Sequence, residues 1–183
     1  FFYWGLVPGW AKNKSISTKI INTSIESILG KTSFRNALQQ RRCLVIADGY
    51  YEWKQSFKKS KIPYRIVKEP KGLFAFAGMW DEYEDNEGKI VHTFTVITTT
   101  ASENLSKIHD RMPVILPDKE SEQLWLSNHV TMEELMGLLQ PEDALSMDFY
   151  TISPMVNAVK NNSPKLIQPT PPVDQFGNLT LFD

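Results

Sequence analysis

Two short segments of the sequence carry residue types that could do chemistry, and the first contains Glu52. This carboxyl group lies between Tyr51 and Trp53, directly after an Asp-Gly turn signal. Aromatic surroundings favour the neutral form of a carboxyl group and make it usable for proton transfer near neutral pH. A structural ion pair with Arg42 or Arg111 is the alternative that the local pattern leaves open.

The second segment has His109, Asp110 and Arg111 at consecutive positions. The imidazole can act as an acid or a base at pH 7, and the guanidinium is a rigid fork that suits a phosphate or a carboxylate. Asp110 can instead pair with Arg111 or cap a turn. We expect Glu52 and His109 to meet in one polar pocket of a single domain that spans residues 1–183.

Composition limits the kinds of partner. The 183 residues are 42% hydrophobic, and 20 basic against 21 acidic residues leave a net charge of −1, so DNA binding has to come from a local patch. The sequence has no run of about 18 apolar residues, so it predicts no membrane span. We expect a cytoplasmic protein without membrane contact. One cysteine and three histidines without ligand spacing predict neither a metal site nor another cofactor.

The elements that have to position these residues are mostly short strands. Strands are predicted at 1–10, where the strand runs into a turn, and at 43–47, 50–54, 63–67, 73–80 and 94–100, and a last strand and turn at 150–159. Helices are predicted at 33–40, 102–107, 120–127 and 131–139. Residues 50–54 are expected to continue the sheet of 43–47, and the basic segment 54–61 to form a hairpin loop. This uneven order favours an α+β fold with a mixed, strongly curled, barrel-like β-sheet and a few peripheral helices.

Three further residues, Asn22, Cys43 and Trp10, have to be assigned a functional or a structural role. Asn22 follows an apolar pair and could present its amide to a pocket, although an isolated asparagine is more often a turn former. Cys43 lies in an apolar run, which is typical of a buried, inert thiol. Trp10 is expected to pack in the core.

Blocks spread over about residues 4 to 168 together resemble the SOS-response-associated peptidase (SRAP) family. In chain order they are Trp4-Gly5-Leu6-Val7-Pro8, Asn22 with Glu26, Ser33-Phe34-Arg35, Arg41-Arg42-Cys43-Leu44, the stretch from Ala47 to Trp53, the stretch from Phe74 to Trp80, Thr98-Thr99, and His109 to Leu116. No single block is decisive, but their order is a strong signal.

The resemblance implies covalent capture of abasic sites in single-stranded DNA. In that family a cysteine at the mature N-terminus condenses with the sugar aldehyde to give a thiazolidine, and the peptidase activity is self-processing. The resemblance also implies that Asn22 positions the terminal amine, that Glu52 moves protons during ring opening or condensation, and that His109 assists Schiff-base formation. It implies that Arg111 holds a phosphate, and it makes Trp4 a candidate for stacking on an unpaired base.

Two departures from the family pattern stand out. The family usually has an arginine two residues after the asparagine, where it contacts DNA phosphate, and this position is Ser24. No N-terminal cysteine is present, and Cys43 lies in a different block. The start of the sequence reads like the middle of a folded region, so we expect upstream sequence and expect residues 1–183 alone to be unable to crosslink DNA.

Two other functions remain open, and the protein is expected to be a monomer in each case. One is a non-catalytic single-stranded DNA-binding protein that has lost crosslinking, which Ser24 makes conceivable. The other is a hydrolase that uses Glu52 with a second acid, Asp48 or Asp81, on a small substrate. Such a hydrolase requires a defined separation between the two carboxylates.

Overall fold

The computed structural model describes residues 1–11, 20–56, 60–141 and 146–180, and these residues form short strands with a few helices. The strands are β1 (Phe2–Trp4), β2 (Asn22–Ser24), β3 (Arg42–Ala47), β4 (Tyr50–Gln55), β5 (Lys61–Lys68), β6 (Phe74–Glu84), β7 (Ile90–Thr100), β8 (Arg111–Pro113), β9 (Ile115–Leu116) and β10 (Met147–Thr151). The α-helices are α1 (Ile25–Gly30), α2 (Thr32–Gln40), α3 (Lys119–Leu126) and α4 (Met132–Leu138). None of the described helices is long and apolar enough to cross a membrane.

The chain divides into two compact units, and the first is built around the long strand β7. This unit comprises Phe1–Ile46, Phe74–Thr100 and Arg111–Glu142. Its sheet has the order β1-β7-β6-β3, with β2 and β8 also paired to β7 and β9 paired to β6. Because β1 and β2 run parallel to β7 whereas β6 and β8 run antiparallel to it, the sheet is mixed, as predicted.

Helices cover one face of this sheet because their apolar residues recur at helical spacing. Buried side chains of all four helices form one core with Ala77 and Met79 of β6 and Ile97 of β7. Side chains alternate between the two faces of a strand, so the opposite face carries Phe94, Val96 and Thr98 of β7. That opposite face is the one that matters for the site.

Arg42 joins the ends of two helices in the first unit. Its guanidinium donates hydrogen bonds to the carbonyl oxygens of Leu38, Gln39, Trp125 and Ser127. The last carbonyl groups of a helix have no partner within the helix, and a buried arginine satisfies several of them at once. Arg42 is therefore a structural residue of the first unit.

The second unit comprises Ala47–Leu73, Ala101–Asp110 and Asp143–Asp183. Its sheet is antiparallel, with the order β10-β5-β4. The prediction that 50–54 continues the sheet of 43–47 is wrong, because β4 pairs along its whole length with β5 in this second sheet. Part of the predicted hairpin loop, 57–59, lies outside the described residues; Ser56 N–H donates to Ser60 O at 2.8 Å beside it.

Two expectations about shape and packing fail. The described strands form two separate sheets, neither of them closed, so the barrel-like curl is not supported, although the α+β class with few helices is confirmed. Trp10 is 67% exposed rather than in the core. It projects from a turn in which Ala11 N–H donates to Pro8 O, while Leu6 and Val7 are buried instead. The prediction of one domain stays a prediction.

Candidate functional site

Four of the predicted site residues, Trp4, Asn22, Ser24 and Arg111, follow one another along β7, and we call them the β7 row. Their partners on β7 are Phe94, Val96, Thr98 and Thr100, in that order. These partners are every second residue of the strand, so all four lie on one face. At about 3.3 Å per residue the row extends over roughly 20 Å.

A polar contact on the other side of the sheet supports this assignment of faces. Thr23, between Asn22 and Ser24, has its hydroxyl 3.0 Å from the hydroxyl of Thr95, and both threonines are buried. Because Thr23 points to the face that the helices cover, its two neighbours belong to the opposite face. The β7 row is therefore on the face away from the helices.

Trp4 is the aromatic end of the row. Its ring lies nearly parallel to that of Phe94, with centroids 6.1 Å apart and an angle of 11° between the planes. The residue is still 60% exposed, and its indole N–H donates to Ile21 O at 2.8 Å. A rigid, exposed aromatic ring of this kind offers a surface on which an unpaired base can stack.

Asn22 and Ser24 form the middle of the row. Asn22 is the first residue of β2, so it is not a turn former, and its side chain is exposed. Ser24 is the N-cap of α1, since its hydroxyl accepts a hydrogen bond from Ser27 N–H at 3.2 Å. The serine at this position thus stabilises a helix start.

Arg111 ends the row and is held by Glu26. Its two terminal nitrogens donate to the two carboxylate oxygens at 2.9 and 3.1 Å, a bidentate arrangement. The Arg111 guanidinium also donates to Thr98 O at 2.9 Å. Its hydrogen bonds to Glu26 are the main reason that the pKa of Glu26 falls from 4.5 to about 2. Sequence reasoning did not predict this pair, because 85 residues separate its members and neither has a local signal for the other.

Glu52 belongs to the second unit, where it lies on β4 opposite Tyr64 of β5. Its carboxylate accepts a hydrogen bond from Trp53 N–H at 3.0 Å, and the indole of Trp53 donates to Asn157 Oδ1 at 2.7 Å. Burial, and after it the charge of Glu52, raises the pKa of the Tyr50 phenol. Because its pKa is raised, the phenol stays protonated at neutral pH. Tyr50 is two residues from Glu52 on the same strand, so both side chains belong to one face.

The turn before Glu52 depends on a close approach between Gly49 and Arg65. A Cβ atom at Gly49 would lie 2.9 Å from the Nε atom of Arg65 and 2.9 Å from Ile66 O, so only glycine fits without a shift. The Arg65 guanidinium forms an ion pair with Asp48 at 3.0 Å and donates to the hydroxyl of Tyr150 at 3.1 Å. This arrangement fixes where β4 begins.

His109 also belongs to the second unit. It lies at the end of a loop whose two ends are joined by backbone hydrogen bonds. Ala101 N–H donates to Asp110 O at 2.9 Å, and His109 N–H donates to Leu105 O at 3.2 Å beside the 3-10 turn Leu105–Lys107. The Nδ1 atom of His109 is 3.1 Å from the Asp110 carboxylate. A carboxylate on one ring nitrogen orients the imidazole. That Glu52 and His109 share a pocket stays a prediction.

The lone thiol has the character expected of a structural cysteine. Cys43 is half-buried on β3, and burial raises its pKa to about 11. Because of this raised pKa, very little thiolate, the reactive form, exists at neutral pH. The described residues contain no group of three or more His, Cys, Asp or Glu arranged to hold a metal ion.

Comparison with known proteins gives a consistent result. The family model described as SOS response associated peptidase (SRAP) matches residues 1–159. The abasic site processing protein YoqW of Bacillus subtilis is 47% identical over 166 residues, which are 90% of this chain and 74% of that protein. The abasic site processing protein HMCES of Gallus gallus is 35% identical over 190 residues, covering 91% of this chain and 56% of that protein.

The fold is also found in a solved structure. A crystal structure of a protein from Bacteroides thetaiotaomicron superposes with a TM-score of 0.83 at 32% identity, covering 92% of this chain and 75% of that one. This chain belongs to the SOS response associated peptidase (SRAP) family.

Proposed function

We propose that this protein processes abasic sites in single-stranded DNA, and that a cysteine at the mature N-terminus of the natural chain forms the covalent link. The names of the relatives support the substrate, since several of them are called abasic site processing proteins. The observation that carries the proposal is the β7 row, which combines an exposed aromatic ring, an amide and an arginine on one face. We further propose that the protein acts as a monomer in the cytoplasm, at the nucleoid after DNA damage.

The β7 row suits a single strand because each part matches one part of a nucleotide. Trp4 offers a stacking surface for a base, and the Arg111 fork matches phosphate oxygens. Asn22 lies between them, so its amide is available to hold the attacking amine near the sugar. Holding an amine close to an aldehyde converts a two-molecule reaction into an effectively one-molecule step, which lowers the barrier.

The proposed reaction needs proton transfer at each stage. The terminal amine adds to the C1′ aldehyde of the open sugar, and loss of water gives a Schiff base. The cysteine sulfur then adds to the imine carbon, and the nitrogen takes up a proton, which gives the thiazolidine. In this scheme Glu52 and His109 move these protons, and the departing hydroxyl leaves as water once it is protonated.

The two alternatives have less support. The carboxylates proposed to help Glu52 in a hydrolase are already held by cations: Asp48 by Arg65 and Asp81 by Arg41. Asp81 also accepts a hydrogen bond from Gly9 N–H at 3.1 Å, as a structural anchor would. Simple single-strand binding without chemistry would account for the β7 row but gives Glu52 and His109 no task.

The test is a denaturing gel of a natural-length chain with an N-terminal cysteine, incubated with an oligonucleotide that carries one abasic site. A band that resists denaturation is expected with the abasic strand and not with the intact strand. The Cys43→Ala variant should give the same band, because its thiol is not the nucleophile. Absence of the band would overturn the proposed chemistry. Loss of the band in Cys43→Ala would show that Cys43, and not the N-terminal cysteine, forms the link.

Variants of the proton-transfer residues refine the test. Glu52→Gln, His109→Ala and Asn22→Ala should each slow the appearance of the band without changing melting temperature by more than a few degrees. His129→Ala, an exposed histidine between α3 and α4, is the matched control. Unchanged rates for Glu52→Gln and His109→Ala together would contradict their proposed roles.

A further inference from the structure

We infer that Glu26 is a built-in competitor for DNA: its carboxylate occupies the Arg111 fork and has to be exchanged for a backbone phosphate when a strand binds. This inference rests on the proposed function, because it concerns how the same face takes DNA. It adds a residue that sets affinity, and it explains how a single strand without a lesion is released.

The Glu26 carboxylate occupies the donors of Arg111 that a phosphate would use. The two terminal nitrogens of Arg111 each donate to a separate oxygen of Glu26, at 2.9 and 3.1 Å. A phosphate accepts from the same edge of a guanidinium in the same two-bond manner, so carboxylate and phosphate compete for one set of donors. Glu26 is on the first turn of α1, and its side chain is 66% exposed, so it can turn away into solvent.

Arg111 has a second partner that holds it in place when Glu26 leaves. The Arg111 guanidinium also donates to Thr98 O at 2.9 Å, a contact within the β7–β8 pair that does not involve Glu26. The arginine side chain is 30% exposed, against 66% for its partner. The guanidinium is therefore fixed by the sheet, and the carboxylate is the movable member of the pair.

The pairing with Arg111 also determines the charge of Glu26. Hydrogen bonds from Arg111, first among the causes, lower the pKa of Glu26 to about 2. Glu26 is therefore negative at every physiological pH, and protonation cannot open the fork. Only an anion of comparable geometry can replace it, which is what a DNA strand provides at high local concentration.

Ser24 makes the competition stronger. Its side chain hydrogen-bonds Glu26 and caps α1, so the serine holds the carboxylate near the fork. Non-covalent binding of any strand is then weak and reversible. Retention comes from the covalent step, which only a sugar aldehyde can undergo, so the competition favours lesions over intact DNA by shortening the lifetime of unproductive complexes.

The test uses a fluorescent oligothymidine without an abasic site, so that no covalent step contributes, and measures affinity by polarisation at several salt concentrations. Glu26→Gln should bind about threefold to tenfold more tightly than the parent. In a plot of log affinity against log salt, the slope for Glu26→Gln should be steeper by about 0.7. In the parent, the displaced Glu26 carboxylate takes up a cation while the DNA strand releases one, and the variant lacks this uptake. Neither change should appear when Arg111→Gln is also present.

Two further variants separate the competition from simple charge and from folding defects. Glu133→Gln removes one negative charge from the exposed start of α4 and should leave affinity within twofold of the parent. Glu26→Asp keeps the charge but shortens the reach, and should fall between the parent and Glu26→Gln. Thermal melting of each variant checks that it is folded.

The possible results are decisive in different ways. Equal or weaker binding by Glu26→Gln, or an equal gain in the Arg111→Gln background, would overturn the competition while leaving the proposed function intact. Failure of both the parent and Glu26→Gln to bind the oligothymidine even at low salt would overturn the competition and the proposed DNA function together. A crosslinked band on abasic DNA together with unaltered Glu26→Gln affinity would reject the competition alone.

Discussion

The indole N–H of Trp4 donates a hydrogen bond to the carbonyl oxygen of Ile21 at 2.8 Å, which ties β1 to the start of β2. Both strands pair with the same strand, β7, two rungs apart. The bond therefore fixes the separation between Trp4 and Asn22, the aromatic and the amide parts of the β7 row. It also orients the indole plane over Phe94.

Replacing Trp4 separates stacking from this hydrogen bond. Trp4→Ala should weaken binding of an oligothymidine by about 1–3 kcal/mol, the usual contribution of one stacked base. Trp4→Phe keeps a ring over Phe94 but loses the bond to Ile21 O, so its loss should be smaller. Fluorescence polarisation measures both, and Phe176→Ala, an exposed aromatic of the second unit, is the control. Binding by Trp4→Ala equal to that of the control would remove Trp4 from the DNA surface.

Ser24→Arg places a cation in the middle of the β7 row and should strengthen DNA binding. A guanidinium at this rung adds a phosphate contact and a second cation for Glu26, which loosens the Arg111 pair. The salt dependence of log affinity should steepen by about 0.7 for each added contact. Loss of the helix cap should lower the free energy of unfolding by about 0.5–2 kcal/mol.

Ser24→Ala is the matched control, since it loses the cap without adding charge. It should show the same drop in stability, measured by urea unfolding, with a smaller gain in DNA affinity than Ser24→Arg, because it frees Glu26 without adding a cation. An equal affinity for Ser24→Arg and Ser24→Ala would mean that this rung does not reach the DNA.

The ion pair between Glu26 and Arg111 makes part of the stability depend on pH. The pKa of Glu26 falls from 4.5 to about 2 on folding, so the folded state binds the proton less well than the unfolded chain. The pair's contribution is therefore fully present above about pH 4.5 and is lost as the pH falls towards 2. Because the side chain is largely exposed, the effect is small.

Comparison of the parent with Glu26→Gln isolates this contribution from other carboxyl groups. The difference in free energy of unfolding between the two proteins should be constant from pH 5 to 7 and shrink between pH 4.5 and 2. Urea unfolding at closely spaced pH values measures it. A difference that grows as the pH falls would contradict the lowered pKa.

Two glycines should respond in opposite ways to alanine. Gly49→Ala drives a methyl group against the Arg65 side chain and Ile66 O, and should lower the free energy of unfolding by about 1–3 kcal/mol. Gly137→Ala meets nothing within 4 Å in α4 and should raise it by about 0.5–1 kcal/mol. Chemical unfolding measures both. Because Gly49 fixes the start of β4, its variant should also slow adduct formation, whereas a normal rate would show that Glu52 does not depend on this turn.

Local patterns in the sequence predicted much of the secondary structure and the types of residue at the site. The segments 94–100 and 73–80 were predicted as strands and lie within β7 and β6 for most of their length, and the segment 131–139 was predicted as a helix and contains α4. These predictions succeed because the preference of a segment for a strand or a helix depends largely on neighbours within a few residues. The family resemblance then singled out Asn22, Glu52, His109 and Arg111 as site residues.

Strand pairing was beyond those patterns. The sequence contains no local sign that β4 leaves the sheet of β3, because the choice depends on β5 and β10 and on Arg65 beneath the Asp48-Gly49 turn. Trp10 was misjudged for a related reason: an aromatic residue in an apolar stretch is typical of a core, but the turn at Pro8 directs it outwards.

The sequence by itself determined the residue types, many of the strands and helices and the membership of a family, since these depend on contiguous stretches of residues. Only the tertiary structure decided that Trp4, Asn22, Ser24 and Arg111 lie in register along one strand, and that Glu26 occupies the Arg111 fork from 85 residues away. The physical reason is that hydrogen-bonded register and ion pairing act between segments brought together by burial of the core. Neither can be read from the neighbours of a residue in the chain.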